Sequence, residues 1–444
     1  MQFRSRREGL SRRARRATLQ MSAPSQFAVR TVVFESGERM PLLVDVGSGL
    51  PLFDPCVYAC TVLRPKAGSG ATIEQALRGV QLLLTFAGER GINLADRFAE
   101  ARFLDLHELD DLVRMAYAPR SPAAESEPGE RVVPLRAPRR GSSRAKSSGV
   151  SAGTVAIRIY YARQYLEWMG QRAAGRVCKS LEQRHSYMTR LNEFLQRLRM
   201  RTPKTREHAD RLSLTATQKR ELLRVIEPES PDNPWSGEFV RDRNRLIVLW
   251  GLGTGLRRGE MLGLRIRLLD FRRQMASIVR RPDDRADPRK HQPNTKTRER
   301  AIDIGKELAY WTHEHIIRYR STLRRAQKHD FLFVAESGEP MSLAALSKVF
   351  RVLRDRHPVV GERLSSHVLR HTWNEDFSDV ADRANLSDED EQRARNHAMG
   401  WSDTSKTAGQ YLKRRTRRQS AEASAEIQRN IIGGKRVRGH DGGN

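Results

Sequence analysis

The octapeptide Gly253-Thr254-Gly255-Leu256-Arg257-Arg258-Gly259-Glu260 comes after an apolar helical segment, Asp242 to Leu252, and sets an arginine where a glycine-rich turn runs into a new helix. A guanidinium in that place, beside the unbonded N–H groups of a helix start, is suited to gripping a phosphate. Glu260, three residues on, is placed to hold the Arg257 side chain. Taken alone, the pattern reads first as a surface salt bridge on a helix. Its weight comes from the groups arrayed in order after it: Lys296 in Thr295-Lys296-Thr297, then His367-Val368-Leu369-Arg370-His371, then Trp401, then Tyr411. Tyr411 is the only tyrosine after Tyr319. Two arginines can clamp a phosphate, a lysine and a histidine can move protons, and a lone phenol can attack. The set points to covalent chemistry on a nucleic-acid backbone.

Composition agrees. The 444 residues carry 81 Lys+Arg against 53 Asp+Glu, a formal charge of +28, which favours a polyanionic partner. Hydrophobic residues make up 38%, enough for a core, and the length leaves room for two or three domains. No run approaches the ~18 apolar residues of a membrane span. Cys56, Cys60 and Cys178 cannot make a disulfide framework, which suits a reducing compartment. Cys56 and Cys60 have no second ligand pair for zinc nearby, so they are expected to be small buried side chains. The arginine run from Arg4 to Arg16 leads into no apolar h-region and is not a secretory signal. Residues 1–26 are expected to be a disordered basic arm, unless translation starts at Met21.

Outward from the octapeptide, the pattern divides the chain. Phe27 to Phe34 and Leu42 to Val46 are β-leaning runs broken by Ser36-Gly37 and Gly47-Ser48-Gly49, which predicts a small strand-bearing arm over 27–70. Helical periodicity begins with Ile73, Leu77, Val80 and Leu84, where Thr72 is the expected N-cap and Gln75 completes a capping box. Further helices are predicted over 104–117, 152–172 and 181–199, the second with Arg158, Arg163 and Arg172 opposite its apolar stripe. Together these give a helical domain over 71–205, interrupted by a Pro-, Ser- and Arg-rich flexible insertion at 119–150. From Leu214 a new domain starts, capped by Thr215 and extending over 206–432. It has strands near Ser277 to Val279 and Arg300 to Ile304, a basic loop between them, and helices at 310–325 and 342–354. Ser365 or Ser366 caps the helix carrying His367 and Arg370, which share one face at their spacing. The tail, 433–444, is Gly-rich and expected to be flexible. The fold class is mostly α with a small β-sheet, that is α+β.

The ordered set resembles the tyrosine recombinase (phage integrase) family. The resemblance rests on Thr254-Gly255-Leu256-Arg257-x-Gly259-Glu260-x-Leu262, Thr295-Lys296-Thr297, His367-x-x-Arg370-His371-Thr372, Met399-Gly400-Trp401-Ser402 and Tyr411. It covers residues 212–430, with a looser likeness of 72–200 to that family's helical core-binding domain. It implies a core-binding domain and a catalytic domain forming a C-shaped DNA clamp. It implies that Tyr411 attacks a DNA phosphodiester to give a 3′-phosphotyrosyl link, that Arg257 and Arg370 stabilise charge on the phosphate, and that Lys296 protonates the leaving 5′-oxygen. His367 would accept the phenol's proton and Trp401 would donate its indole N–H. No cofactor or metal is implied. The implied partners are double-stranded DNA, further copies of the chain as a tetramer on DNA, and accessory proteins, with no membrane. The implied setting is the bacterial cytoplasm, at the nucleoid when DNA is bound. Trp401 stands where histidine is more frequent, and Tyr411 comes after it at an interval one residue longer than common. The acidic stretch Asn374 to Gln392 would repel phosphate and is expected on a face turned away from DNA. A type IB topoisomerase and a catalytically inactive DNA-binding regulator remain as alternatives.

Overall fold

The computed structural model describes residues 26–67, 69–119, 149–204, 213–293, 297–402, 405, 409, 420 and 423–431. The expected basic arm, most of the 119–150 insertion, the 433–444 tail, Lys296 and Tyr411 lie outside the described residues. The chain forms two compact units, one of residues 1–34 and 39–207, the other of residues 35–38 and 208–444. Among the described residues no helix is long and apolar enough to cross a membrane.

The first unit opens with an antiparallel hairpin, β1 (Phe27–Val33) and β2 (Arg39–Asp45), in register from Phe27↔Asp45 to Val33↔Arg39. The arm is not strand alone. Chain from Phe53 is helical, through α1 (Phe53–Tyr58), a π-helical turn at Ala59–Leu63 and α2 (Arg64–Ala67). Cys60 on this turn is exposed and Cys56 half-buried, so the expectation that both are buried is wrong for Cys60. The remaining helices are α3 (Gly70–Glu89), α4 (Leu94–Ala99), α5 (Leu106–Ala116), α6 (Ala152–Val177) and α7 (Leu181–Arg201).

The cap of α3 is Ser69, three residues before the expected Thr72. The Ser69 side chain accepts from the Thr72 N–H, a device worth about 1 kcal/mol, and the Thr72 hydroxyl meets Ser69 Oγ at 3.0 Å. Ile73, Leu77 and Val80 on α3 pack with Val155, Ile159, Ala162 and Leu166 on α6 into the unit's core, as their spacing predicts. Helix backbones approach closely at Gly79, where a Cβ would stand 2.7 Å from Tyr161 Cβ and 2.9 Å from Arg158 O. Two of the arginines expected on an outer face have internal partners. Arg158 donates to the carbonyls of Ala116 and Ala118 at the end of α5, and Arg172 pairs with Asp54 at 2.6 Å.

The second unit begins with α8 (Ala216–Ile226), capped by Thr215 as its sequence predicts, with Gln218 completing a capping box. Next comes α9 (Glu238–Thr254), whose Leu246, Ile247, Val248 and Trp250 are buried. A left-handed Gly255 ends α9, and α10 (Arg258–Leu262) begins at once. A three-stranded antiparallel sheet, β3 (Leu269–Asp270), β4 (Met275–Ile278) and β5 (Arg300–Asp303), lies in that order. Four more helices follow, α11 (Gly305–Arg318), α12 (Leu343–Arg356), α13 (Ser366–Arg383) and α14 (Asp388–Met399), and residues 423–431 are helical as well. Helix α13 crosses α9 where Gly251 leaves no space; a Cβ there would sit 2.6 Å from Leu369 Cδ1.

The acidic stretch has a structural explanation. Asp388, Glu389, Asp390 and Glu391 form the first turn of α14 behind the N-cap Ser387, where the helix dipole favours negative charge. Glu375 accepts from the Ser213 hydroxyl, and Asp376 pairs with Lys219 at 2.8 Å. Glu391 is fully buried against Arg395. The loop between β4 and β5 is pinned rather than merely basic: Asp284 holds Arg265, and Arg289 bonds Asp287 at 2.8 Å and the Met341 carbonyl at 2.9 Å.

Candidate active site

Arg257 is the N-cap of α10, in extended conformation, reached directly from left-handed Gly255. The turn lets α9 end and α10 begin within three residues, so the Arg257 side chain projects from a joint between two helices. Its backbone N–H donates to Glu260 Oε2 at 2.8 Å, and its guanidinium stands 3.8 Å from Glu260 Oε1. The expectation that Glu260 holds Arg257 therefore describes a contact that is present.

Glu260 does more than serve Arg257. Its side chain is fully buried, and four groups converge on it. Arg300 from β5 donates Nη1 to Oε1 at 3.0 Å and Nη2 to Oε2 at 3.3 Å. The Thr297 hydroxyl donates to Oε1. Arg257 approaches through both its N–H and its guanidinium, and Arg370 Nη1 lies 3.9 Å from Oε2. Burial pushes the Glu260 carboxyl up, but the Arg300 bond and charge, the Thr297 hydroxyl and the Arg257 N–H outweigh it and hold it below the usual carboxylate range. A separation of about 4 Å gives about 4 kcal/mol of attraction at an effective dielectric of ~20, before desolvation is counted.

Arg370 sits on α13, which Ser365 caps by accepting from the Val368 N–H. The residue is buried and Nη1 donates to the Gly255 carbonyl at 2.6 Å. The second arginine is thereby tied to the turn that presents the first. Its guanidinium also lies over the Trp401 ring, 5.4 Å from the centroid. Trp401 is buried, with its backbone N–H donating to Asn396 O at 2.9 Å just past the left-handed Gly400 that ends α14. Trp401, Met399 and Trp373 form a small apolar cluster, and Trp373 Nε1 donates to Gly253 O at 3.1 Å.

Arg257, Arg370 and Trp401 are therefore brought together, although 144 positions separate the first from the last (401 − 257). His367 differs from Arg370 in setting: it is exposed while Arg370 is buried. Its Nε2 meets His371 Nε2 at 3.1 Å, with ring centroids 4.5 Å apart. A bond between two imidazole nitrogens needs one N–H and one bare nitrogen, so at most one of the two rings is fully protonated while it lasts. Lys296 and Tyr411 are outside the described residues. Thr297 and Arg298, next in the chain after Lys296, border an open depression of about 490 Å³ with Arg280, Pro282 and Glu299.

Arg300 and Thr297 are the site residues to which the sequence alone assigns no role. Arg300 also donates Nε to the Ala398 carbonyl at 2.7 Å, which fastens β5 to the end of α14. Its side chain is 4% exposed. Two phosphate-capable guanidiniums held around one buried carboxylate, beside a buried indole, make a preorganised cationic site on the second unit.

Comparison with known proteins defines the class. Residues 213–418 match the phage integrase family. Tyrosine recombinase XerA of Thermococcus kodakarensis is 28% identical over 241 residues, 51% of this chain and 75% of that protein. Tyrosine recombinase XerD of Proteus mirabilis is 25% identical over 134 residues, 30% of this chain and 38% of that protein. Among solved structures, the Tn1549 transposon integrase in complex with transposon right end DNA covers 82% of this chain and 99% of that one, at 15% identity and a TM-score of 0.46. The family match and the curated relatives show that residues 213–418 form a domain of the tyrosine recombinase (phage integrase) family. The chain is a site-specific recombinase.

Proposed function

We propose that this recombinase cuts and rejoins double-stranded DNA through a 3′-phosphotyrosyl intermediate formed by Tyr411. The observation that carries the reading is the convergence of Arg257 and Arg370 around Glu260, with Trp401 against Arg370. A phosphodiester under attack gains charge on its non-bridging oxygens, and preorganised donors at that point supply the largest single part of most rate enhancements. Arg257 and Arg370 take that role, and the Trp401 indole orients the phosphate. His367 accepts the proton of a phenol whose free pKa is about 10. Lys296 gives a proton to the departing 5′-oxygen. The Tyr411 oxygen–phosphorus bond forms as the phosphorus–5′-oxygen bond breaks, and the reverse transfer to a 5′-hydroxyl restores the backbone. One phosphoester replaces another, so the cycle needs neither ATP nor a metal.

The formal charge of +28 fits a DNA partner. We further propose that the chain works as a tetramer on DNA with accessory proteins, in the bacterial cytoplasm at the nucleoid. In this reading residues 71–205 serve as the core-binding domain and 206–432 as the catalytic domain, with residues 1–26, 27–70 and 119–150 as accessory segments.

The test uses a nicked suicide duplex built on a sequence selected from random DNA by binding to the full-length chain. The wild type forms a covalent adduct, and Tyr411→Phe forms none while still binding DNA. Adducts from Tyr411→Phe would remove Tyr411 as nucleophile. Relaxation of plasmids of any sequence, with no recombinants, would favour a topoisomerase instead. DNA binding with no adduct from the wild type would indicate a regulator.

A further inference from the structure

Glu260 poses an electrostatic problem that the recombinase reading does not address. A buried carboxylate beside two arginines draws their charge toward itself, and charge held by Glu260 is not available to a phosphate. The geometry points to Arg300 as a positioning residue: by engaging Glu260 with two prongs, it satisfies the carboxylate that would otherwise draw the Arg257 and Arg370 guanidiniums away from a phosphate. The inference rests on the roles proposed for Arg257 and Arg370.

Three observations support it. The Arg300 guanidinium is within hydrogen-bond distance of Glu260, at 3.0 and 3.3 Å, whereas those of Arg257 and Arg370 stop at 3.8 and 3.9 Å, beyond such a bond. Glu260 carries a single negative charge amid Arg257, Arg300 and Arg370, so a guanidinium that engages it fully lessens its pull on the other two. Arg300 is also braced from behind, because Nε donates to the Ala398 carbonyl and the planar fork cannot turn without losing one bond or the other. That brace joins the strand that comes after Lys296 to the helix end preceding Trp401. Lysine, whose three donors share one nitrogen, lacks the planar fork that spans Ala398 O and both Glu260 oxygens.

The experiment measures single-turnover cleavage and binding of the same suicide duplex by the full-length chain. Arg300→Met is expected to cleave about tenfold or more slowly than wild type, on the scale of a weakened transition-state donor, with DNA affinity changed by less than about threefold. Arg300→Lys is expected to fall between the two. The deciding variant is the double Arg300→Met/Glu260→Gln. Removing the carboxylate releases Arg257 and Arg370, so the double mutant should cleave several-fold faster than Arg300→Met alone. A purely structural Arg300 predicts the opposite, since a second buried change would worsen the first. Arg300→Met cleaving as fast as wild type, or a double mutant no faster than Arg300→Met, overturns the proposal. Should Arg300→Met not fold, Arg300→Lys decides: a wild-type rate overturns the proposal, and a several-fold loss at unchanged affinity upholds it. Absence of adduct from the wild type fails the recombinase reading itself and takes this inference with it.

Discussion

Gly400→Ala should destabilise the second unit by about 2–5 kcal/mol, and Gly305→Ala by only about 1–2 kcal/mol. Both glycines are left-handed, at φ +64 and +65, so the conformational cost of a Cβ is shared. Their surroundings are not. A Cβ on Gly305 meets nothing within 4 Å, whereas one on Gly400 would stand 2.8 Å from Arg300 Nη1, 3.0 Å from Arg298 O and 3.1 Å from Thr297 Cβ. Arg300 Nη1 is bonded to Glu260, and the Arg298 N–H donates to Gly400 O at 3.1 Å, so neither neighbour is free to withdraw. The extra loss at Gly400, about 1–3 kcal/mol, is the overpacking term. Urea titration monitored by tryptophan fluorescence is a suitable assay. Trp235, Trp250, Trp311, Trp373 and Trp401 lie in the second unit, leaving Trp168 in the first. At a urea slope of roughly 2–3 kcal/mol/M the midpoint of Gly400→Ala should fall by about 1 M or more. Equal midpoints for the two alanine variants would refute the close packing of the α14 end against β5, and with it the brace ascribed to Arg300.

Two other outcomes are expected. Glu391 and Arg395 form a fully buried pair to which Ser378 and the Asn374 carbonyl also bond, so Glu391→Ala should cost about 3–5 kcal/mol by stranding a buried guanidinium. Glu391→Leu combined with Arg395→Met should recover at least half of that in the same urea titration, and a double variant as unstable as the single would show that the pair's charge is not the issue. The Glu260 carboxyl, held below its ordinary 4.5 when folded, contributes stability that is present above pH 4.5 and is lost as pH falls through the folded value. Glu260→Gln should therefore show a shallower decline in stability than wild type below its ordinary carboxyl value of 4.5, and parallel acid limbs would count against the depressed carboxyl.

How much of this molecule is legible in its sequence depends on the range of the interactions involved. Helices α3 and α6 announce themselves through apolar residues at three- and four-residue steps, because each buries one stripe against a neighbour, whereas α9, buried on most sides, shows as an apolar run. The caps at Thr215 and Ser365 are local contacts of three residues and are equally readable. The cap of α3 is misplaced by sequence reading because Ser69 and Thr72 are both competent, and the choice between them depends on where the backbone turns extended. The acidic run reads as a hazard for DNA. Its first-turn placement behind Ser387 is available from capping rules, but the burial of Glu391 depends on Ser378 and Arg395 meeting it in space.

Arg300 marks the boundary most clearly. It is one of 81 basic residues, and its acceptor lies 40 positions away, a separation that carries no periodic signal. Even so, a trace is present. Residues in a strand alternate between faces, and Arg300 shares its face with Ile302, which is buried, while Ala301 and Asp303 point outward. A guanidinium on the core side of a strand must find an acceptor or bear a large desolvation cost. The second unit's motifs include one carboxylate fixed beside two arginines, at Glu260. Alternation in β5 thus marks Arg300 as a core-side charge that needs an acceptor, and only the fold shows that the acceptor is Glu260. The physical requirement that a buried charge be matched is the more general clue, and it reaches further along a chain than periodicity does.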